Sequence, residues 1–204
     1  MRKSDFLFLS LMAMVAFCFL ACSENKPAEH ATATQAAEKS AYGGFESQID
    51  WGKHLVAITG CSDCHTPKIM TPQGPADDTT LFLSGHPAAI PAPDVDRKQM
   101  ESKGLVVTAT FTSWVGPWGI TYSANLTPDE TGLGNWKEDQ FIYAIKNKIS
   151  KGLPGSRPLL PPMSMMPFHH MSTDELKAVF AYLKTIKPIS NISVQPTPPA
   201  LVAK

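Results

Sequence analysis

Apolar and polar positions divide this chain into stretches of very different character. Phe6 to Leu20 is apolar apart from Ser10, a run shorter than the ~20 residues that a membrane-spanning helix needs. Ser23 to about Gly44 holds Ala, Thr, Glu, Lys and Gln with almost no large apolar side chain, the composition of a flexible tether. Ile49, Leu55, Val56 and Ile58 then mark a helix of two to three turns that stops at Gly60. Residues 71–104 are rich in Pro, Gly and Asp and show little periodicity. Such a segment is too long for a mere connection and is expected to cover a site or an edge. Leu105 to Trp114 is β-branched and partly alternating, which predicts a strand. It is expected to pair, through a Val115-Gly116-Pro117-Trp118-Gly119 turn, with Ile120 to Ser123.

The second half regains helical periodicity. Asn125-Leu126-Thr127-Pro128-Asp129 and Thr131-Gly132-Leu133-Gly134 are turn chemistry. Asn135 followed by Glu138 reads as a capping box, opening a helix through Phe141, Ile142, Ile145 and Ile149. Gly152-Leu153-Pro154-Gly155 ends that helix. Pro158, Pro161, Pro162 and Pro167 exclude regular structure from residues 156–170. Ser172 with Glu175 forms a second capping box, and Leu176, Val179, Phe180, Leu183 and Ile186 make an amphipathic stripe behind it. Lys187-Pro188 stops this last helix. Residues 191–204 read as a loose tail, which leaves residues 46–190 as one domain.

The candidate chemistry sits at the end of the first helix, in Cys61-Ser62-Asp63-Cys64-His65. C-x-x-C-H is the attachment pattern of a c-type haem. Two thiols add across the two vinyl groups of the porphyrin, and residues three and four apart share one helical face. The trailing imidazole can then reach the iron from the proximal side. A structural zinc site is a weaker reading, because it needs about four N/S ligands and the adjacent His169 and His170 lack the usual spacing. A thioredoxin-like redox pair needs a βαβ setting, and the surroundings here read as helical.

Charge and targeting agree with an envelope protein. Arg2 and Lys3 precede the apolar run, and Phe19-Leu20-Ala21-Cys22 resembles a bacterial lipobox, with Phe19 in place of the preferred aliphatic. Residues 1–21 therefore read as a lipoprotein signal peptide, with cleavage before Cys22 and acylation of its thiol, and residues 22–45 as the tether. An ordinary signal peptide or a short anchor helix is the alternative. The four cysteines are then accounted for: Cys18 discarded, Cys22 lipidated, Cys61 and Cys64 on haem. The 18 basic and 18 acidic side chains balance. No basic stripe points to nucleic acid, and long-range steering of a charged partner is expected to be weak.

A helix bearing C-x-x-C-H, a proline-rich loop with methionines and a terminal amphipathic helix together resemble a class I cytochrome c. The likeness is closer still to bacterial c-type cytochromes that include haem subunits of membrane-linked dehydrogenases. The matching stretches are Gly52-Lys53-His54-Leu55-Val56, Gly60 to Lys68, Ala124 to Asp129 with Thr131 to Trp136, Leu159-Leu160-Pro161-Pro162-Met163, and Met171 to Leu176 running on to Ala181-Tyr182-Leu183. They span most of residues 50–188. The resemblance implies an all-α fold of the class I type, with a long irregular insert that has room for a small β-hairpin. It implies one covalent haem c with Cys61, Cys64 and His65 at the attachment site, and a Met thioether as the second axial ligand.

Met163 stands where the family has its Pro-Pro-Met, and Met166 before Pro167 competes with it. Where the family often has Met-Pro-Trp, this chain has Met163-Ser164-Met165. Met171 is expected to pack in the core, and His169 and His170 to be loop histidines with a lesser claim on the iron. His54 and His86 read as residues of no special role. Arg157, Trp114 and Trp118 are candidate donors to the haem propionates, or else ordinary packing and surface residues. Gly52 and Tyr182 resemble the helix-crossing pair of the family. Asn125, Asp129 and Asp139 lack EF-hand spacing and read as turn and cap residues.

The function expected is electron transfer without a substrate, on a carrier lipid-anchored in the bacterial cell envelope, on the periplasmic side of the inner or outer membrane. Its redox partners would be a dehydrogenase or quinol-oxidising complex as donor and an oxidase or reductase as acceptor. The alternatives are a subunit working only inside a periplasmic dehydrogenase complex, and a haem enzyme or sensor with an open distal site.

Overall fold

A computed structural model describes residues 41–200 of the chain. The signal peptide, Cys22 and the tether up to residue 40 lie outside the described residues. The first helix, α1 (Gln48–Ile58), begins where Ser47 Oγ accepts from the Asp50 amide at 3.1 Å, a side-chain cap on an otherwise orphaned donor. Left-handed Gly60 turns the chain directly into α2 (Cys61–His65). The last helix, α5 (Thr173–Leu183), opens with the expected capping box: the Glu175 amide donates to Ser172 Oγ at 3.1 Å, and the Ser172 amide to Glu175 Oε2 at 2.6 Å.

Helices α1 and α5 cross in close contact, and the crossing depends on Gly52. A Cβ at that position would lie 1.9 Å from the Ala178 carbonyl oxygen and 2.9 Å from Tyr182 Cβ. Without one, the backbones approach closely enough to bury Leu55 and Val56 of α1 with Leu176, Ala178, Val179, Phe180 and Leu183 of α5. A third helix, α4 (Glu138–Lys146), adds Phe141, whose ring lies 5.4 Å from that of Phe180. Leu83 and Leu133 complete this core from loops.

The all-α expectation holds in part: the core is helical, and the insert carries more β-structure than the one small hairpin for which room was expected. Strands β1 (Lys68–Thr71) and β2 (Gly74–Asp77) form one antiparallel hairpin, which the irregular composition of residues 71–104 concealed. A second sheet has the order β3 (Val107–Ala109), β4 (Ser113–Gly116), β5 (Gly119–Tyr122). The expected pairing with Ile120 to Ser123 is present, in register Val115 to Ile120. The single strand expected from Leu105 to Trp114 is instead broken at Thr110 and Phe111, both left-handed, so that β3 folds back on β4. A short helix, α3 (Arg97–Ser102), capped by Asp96, also lies within the insert.

Two further expectations change. Asn135 does not cap α4: the Trp136 amide closes a turn onto the Leu133 carbonyl, and the helix starts two residues later, after an uncapped Lys137. Nor does that helix reach Ile149, which leaves it through left-handed Lys148 to bridge Pro158. The tail beyond Asn191 is not loose among the described residues. Thr197 pairs with Ile120 through two backbone hydrogen bonds of 2.8 and 2.9 Å, Arg97 donates to the Pro198 carbonyl at 2.5 Å, and the Ala200 amide donates to Glu101 at 2.9 Å. These partners belong to the insert, so the tail's own composition could not announce them.

Candidate functional site

Helix α2 places both thiols and the imidazole on a single turn. Its C-terminal carbonyls are covered by Lys68, whose Nζ donates to the Ser62 and Thr66 carbonyls at 2.8 Å each while pairing with Asp77 at 2.8 Å. A cation at the negative end of a helix satisfies orphaned acceptors and the helix dipole together. Burial pushes the Cys61 thiol above its ordinary value, against the lowering effect of Thr59, whose hydroxyl is 3.4 Å away. Burial, helped by the Asp63 charge, does the same to Cys64.

His65 is fixed more firmly. Its Nδ1 lies 2.8 Å from the Ala124 carbonyl oxygen, which can only accept, so Nδ1 carries the proton and donates. Nε2 is left with its lone pair, the arrangement in which a metal-ligating histidine is held by its other nitrogen. Burial lowers the basicity of this ring, with the Ala124 hydrogen bond opposing. Around it, the Gly85 amide donates to the His65 carbonyl at 2.8 Å, and Ser123 Oγ donates to the Cys64 carbonyl. Gly85, at φ +81°, runs so near Ala124 that a Cβ would lie 2.6 Å from its backbone.

The methionine loop is held from two sides. Thr121 Oγ1 on β5 donates to the Pro161 carbonyl at 2.7 Å, and Lys148 beyond α4 donates to the Ser164 carbonyl at 2.9 Å. Met163 and Met166 are both half-buried, whereas Met165 is 71% exposed and turns outward. Met171 packs against the core, as expected. His169 and His170 stack on each other with ring centroids 3.9 Å apart. Lys146 donates to the backbone carbonyls of Met171 and, at 3.4 Å, His169.

Several of the remaining candidates have partners within the protein itself. His54 rests on Phe45, with ring centroids 4.7 Å apart. Arg157 donates to the neighbouring Pro158 carbonyl at 2.9 Å. The Trp118 indole N–H is directed at Thr121 Oγ1, 3.2 Å away, so its one donor is engaged. Trp114 lies half-buried in β4. Asn125 and Asp129 each accept from the amide two residues on, at 2.9 Å, and Asp139 sits in the first turn of α4. These are the turn and cap roles expected. Among the described residues, no cluster of three or more His, Cys, Asp or Glu is arranged to hold a metal ion.

A family model described as Cytochrome c matches residues 49–187, spanning the attachment turn, the methionine loop and both crossing helices. The chain belongs to the cytochrome c family. Its relatives include a subunit of the Nicotinate dehydrogenase of Pseudomonas putida, 35% identical over 36% of this chain and 6% of that protein. They also include the cytochrome c subunit of Alcohol dehydrogenase (quinone) of Gluconacetobacter polyoxogenes, 35% identical over 39% of this chain and 17% of the relative. A third is the Gluconate 2-dehydrogenase cytochrome c subunit of Pantoea cypripedii, 34% identical over 32% and 14%. The chain therefore spans less than a fifth of the length of each of these relatives. As a cytochrome c it carries covalent haem c, the group through which this family exchanges electrons.

Sequence reasoning missed the backbone group that holds the His65 ring and two residues in or bonded to the loop beside it. Ala124 contributes a backbone carbonyl, which leaves no mark in a side-chain pattern. His86 is fully enclosed, with Nδ1 2.9 Å from Thr112 Oγ1 and Nε2 2.8 Å from the Ile90 carbonyl. Asn191 sits in what read as loose tail.

Proposed function

We propose that this cytochrome is a single-electron carrier with His65 and Met163 as the axial pair of one haem, tied to the membrane by lipid on Cys22. The observation that carries this reading is the Nδ1–H of His65 on the Ala124 carbonyl, which leaves Nε2 with the lone pair that a metal takes. Bound at this site, the haem supplies reversible one-electron Fe(III)/Fe(II) exchange. The chain's own residues bind and orient it. Cys61 and Cys64 would tether the ring, and Lys68 holds the turn that carries them. Thr121 and Lys148 hold the loop from which Met163 would offer its sulfur, and a thioether in that place favours the reduced state. A tether of about twenty residues keeps the domain near the bilayer and raises its encounter rate with membrane-bound partners. A dehydrogenase or quinol-oxidising complex suits the donor role, and an oxidase or reductase the acceptor.

The test is a visible and near-infrared spectrum of the purified protein in both redox states, for the wild type and for Met163→Ala and Met166→Ala. Met163→Ala is expected to remove the weak long-wavelength thioether-to-ferric band, with Met166→Ala retaining it. If both variants keep the band, the assigned axial pair is wrong. Cys22→Ser should release the protein from membranes. The names of the relatives favour a second reading, a subunit fixed within a dehydrogenase complex. Co-purification of a stoichiometric partner from detergent-solubilised membranes would decide for it.

A further inference from the structure

Two segments enclose the proximal imidazole. One is the loop 83–88: the Leu83 amide donates to Thr66 Oγ1 at 2.9 Å, the Gly85 amide to the His65 carbonyl at 2.8 Å, and the His86 amide to the Ser123 carbonyl at 3.0 Å. The other is the stretch 123–131, which supplies the Ala124 carbonyl to His65 Nδ1. Both are fastened by one side chain from the far end of the chain. Asn191 Nδ2 donates to the Ser84 carbonyl at 2.7 Å and the His86 carbonyl at 2.8 Å, and its Oδ1 accepts from the Ala88 amide at 3.1 Å. The two carbonyls and one amide fix which way the carboxamide faces.

The backbone of Asn191 grips the second segment. Its amide donates to Thr131 Oγ1 at 2.9 Å, and its carbonyl accepts from Asn125 Nδ2 at 3.4 Å. Asn125 is the residue directly after the one that holds His65, is 2% exposed, and sends the same Nδ2 to Thr131 Oγ1 at 3.1 Å and the Ile189 carbonyl at 2.8 Å. Thr127 Oγ1 also accepts from the Ile189 amide at 3.1 Å. Residues 189–193 thus form a strap over the proximal side, with every polar group of Asn191 engaged.

We propose that Asn191 is a positioning residue for the haem: by locking loop 83–88 to the stretch 123–131, it holds the Ala124 carbonyl against His65 Nδ1 and thereby sets the electron-donating strength of the proximal ligand. The inference rests on His65 being that ligand. A firm Nδ1–H···O=C bond raises imidazole basicity, and a more basic ligand favours the ferric state. Loosening the strap weakens this bond and moves the equilibrium toward the ferrous state.

The experiment compares wild type, Asn191→Ala, Thr131→Val and Thr131→Ser as purified holoproteins, by haem content, spectrum and equilibrium redox titration. Asn191→Ala and Thr131→Val are expected to keep one covalent haem per chain. Each should shift the one-electron equilibrium constant toward the reduced form by up to about tenfold, which is ~59 mV. Thr131→Ser keeps the hydroxyl and should restore the wild-type value. Arg97→Ala, which removes the tail bond at Pro198 and the Arg97–Glu101 pair but no bond of the strap 189–193, is the control and should leave the potential unchanged. An unshifted or lowered potential in Asn191→Ala, or an equal shift in Arg97→Ala, overturns the proposal. A wild-type spectrum without an imidazole-ligated low-spin iron overturns the reading beneath it instead. If Asn191→Ala does not accumulate, the Thr131 pair gives the same answer.

Discussion

His86 is an imidazole without access to water, and its two nitrogens have different duties. The Ile90 carbonyl can only accept, so Nε2 carries the proton, and Nδ1 takes one from the Thr112 hydroxyl. Burial holds the basicity of this ring below the ordinary value of 6.5, with the Ile90 hydrogen bond opposing. The folded-state pKa is therefore the lower of the two. As pH falls through about 6.5, the unfolded chain takes up a proton that the folded chain refuses, and stability drops until the lowered pKa is reached. The loss amounts to at most about 1.4 kcal/mol per pH unit within that window. Denaturant unfolding of the holoprotein at pH 7.5 and 5.5 should show a smaller acid loss for His86→Gln than for the wild type; equal losses would exclude His86 as the titrating group. At this scale the sequence displayed what covalent chemistry constrains. Cys61, Cys64 and His65 were legible because one porphyrin dictates their spacing. His86 and Ala124 were not, since their roles depend on partners 26 and 59 residues away.

Among the elements, the crossing of α1 and α5 tolerates least. Gly52→Ala puts a methyl carbon 1.9 Å from the Ala178 carbonyl oxygen, and two helices bound by a common core must separate to admit it. Overpacking of this severity costs about 3 kcal/mol, which corresponds to a fall in Tm of roughly 6–12 °C for a chain of this size. Calorimetry of the holoprotein checks it, and an unchanged Tm would show that the helices are not held as close as described. Both helices were readable from the spacing of their apolar residues, and so was the Ser172–Glu175 cap. The insert was harder to read. Its strands are three or four residues long, too short for alternation to emerge. Thr110 and Phe111 adopt left-handed backbone that neither residue type advertises. Asn135 carried a valid capping signal, but the turn from Leu133 to Trp136 claimed that stretch first.

For the molecule as a whole, the tail decides how tightly the insert is held. Removing residues 189–204 deletes the Asn191 strap, the pairing of Thr197 with Ile120 and the Ala200 bond to Glu101. Hydrogen exchange should then accelerate at the amides of Ala88 and Ile120, which lose their acceptors, while the amides of α1 and α5 keep their protection. Uniform acceleration throughout would mean that the tail supports the helical core instead. The order in which these partners occur along the polypeptide has a consequence for how the protein is made. The imidazole at position 65 is clamped by a carbonyl that follows it by 59 residues, and the loop around it is pinned by a residue that follows Ser84 by 107. A chain emerging from its N-terminus exposes both thiols long before either fastening exists. The pigment can thus be attached to an open segment, and the cage shuts over it only when the last stretch of polypeptide has arrived.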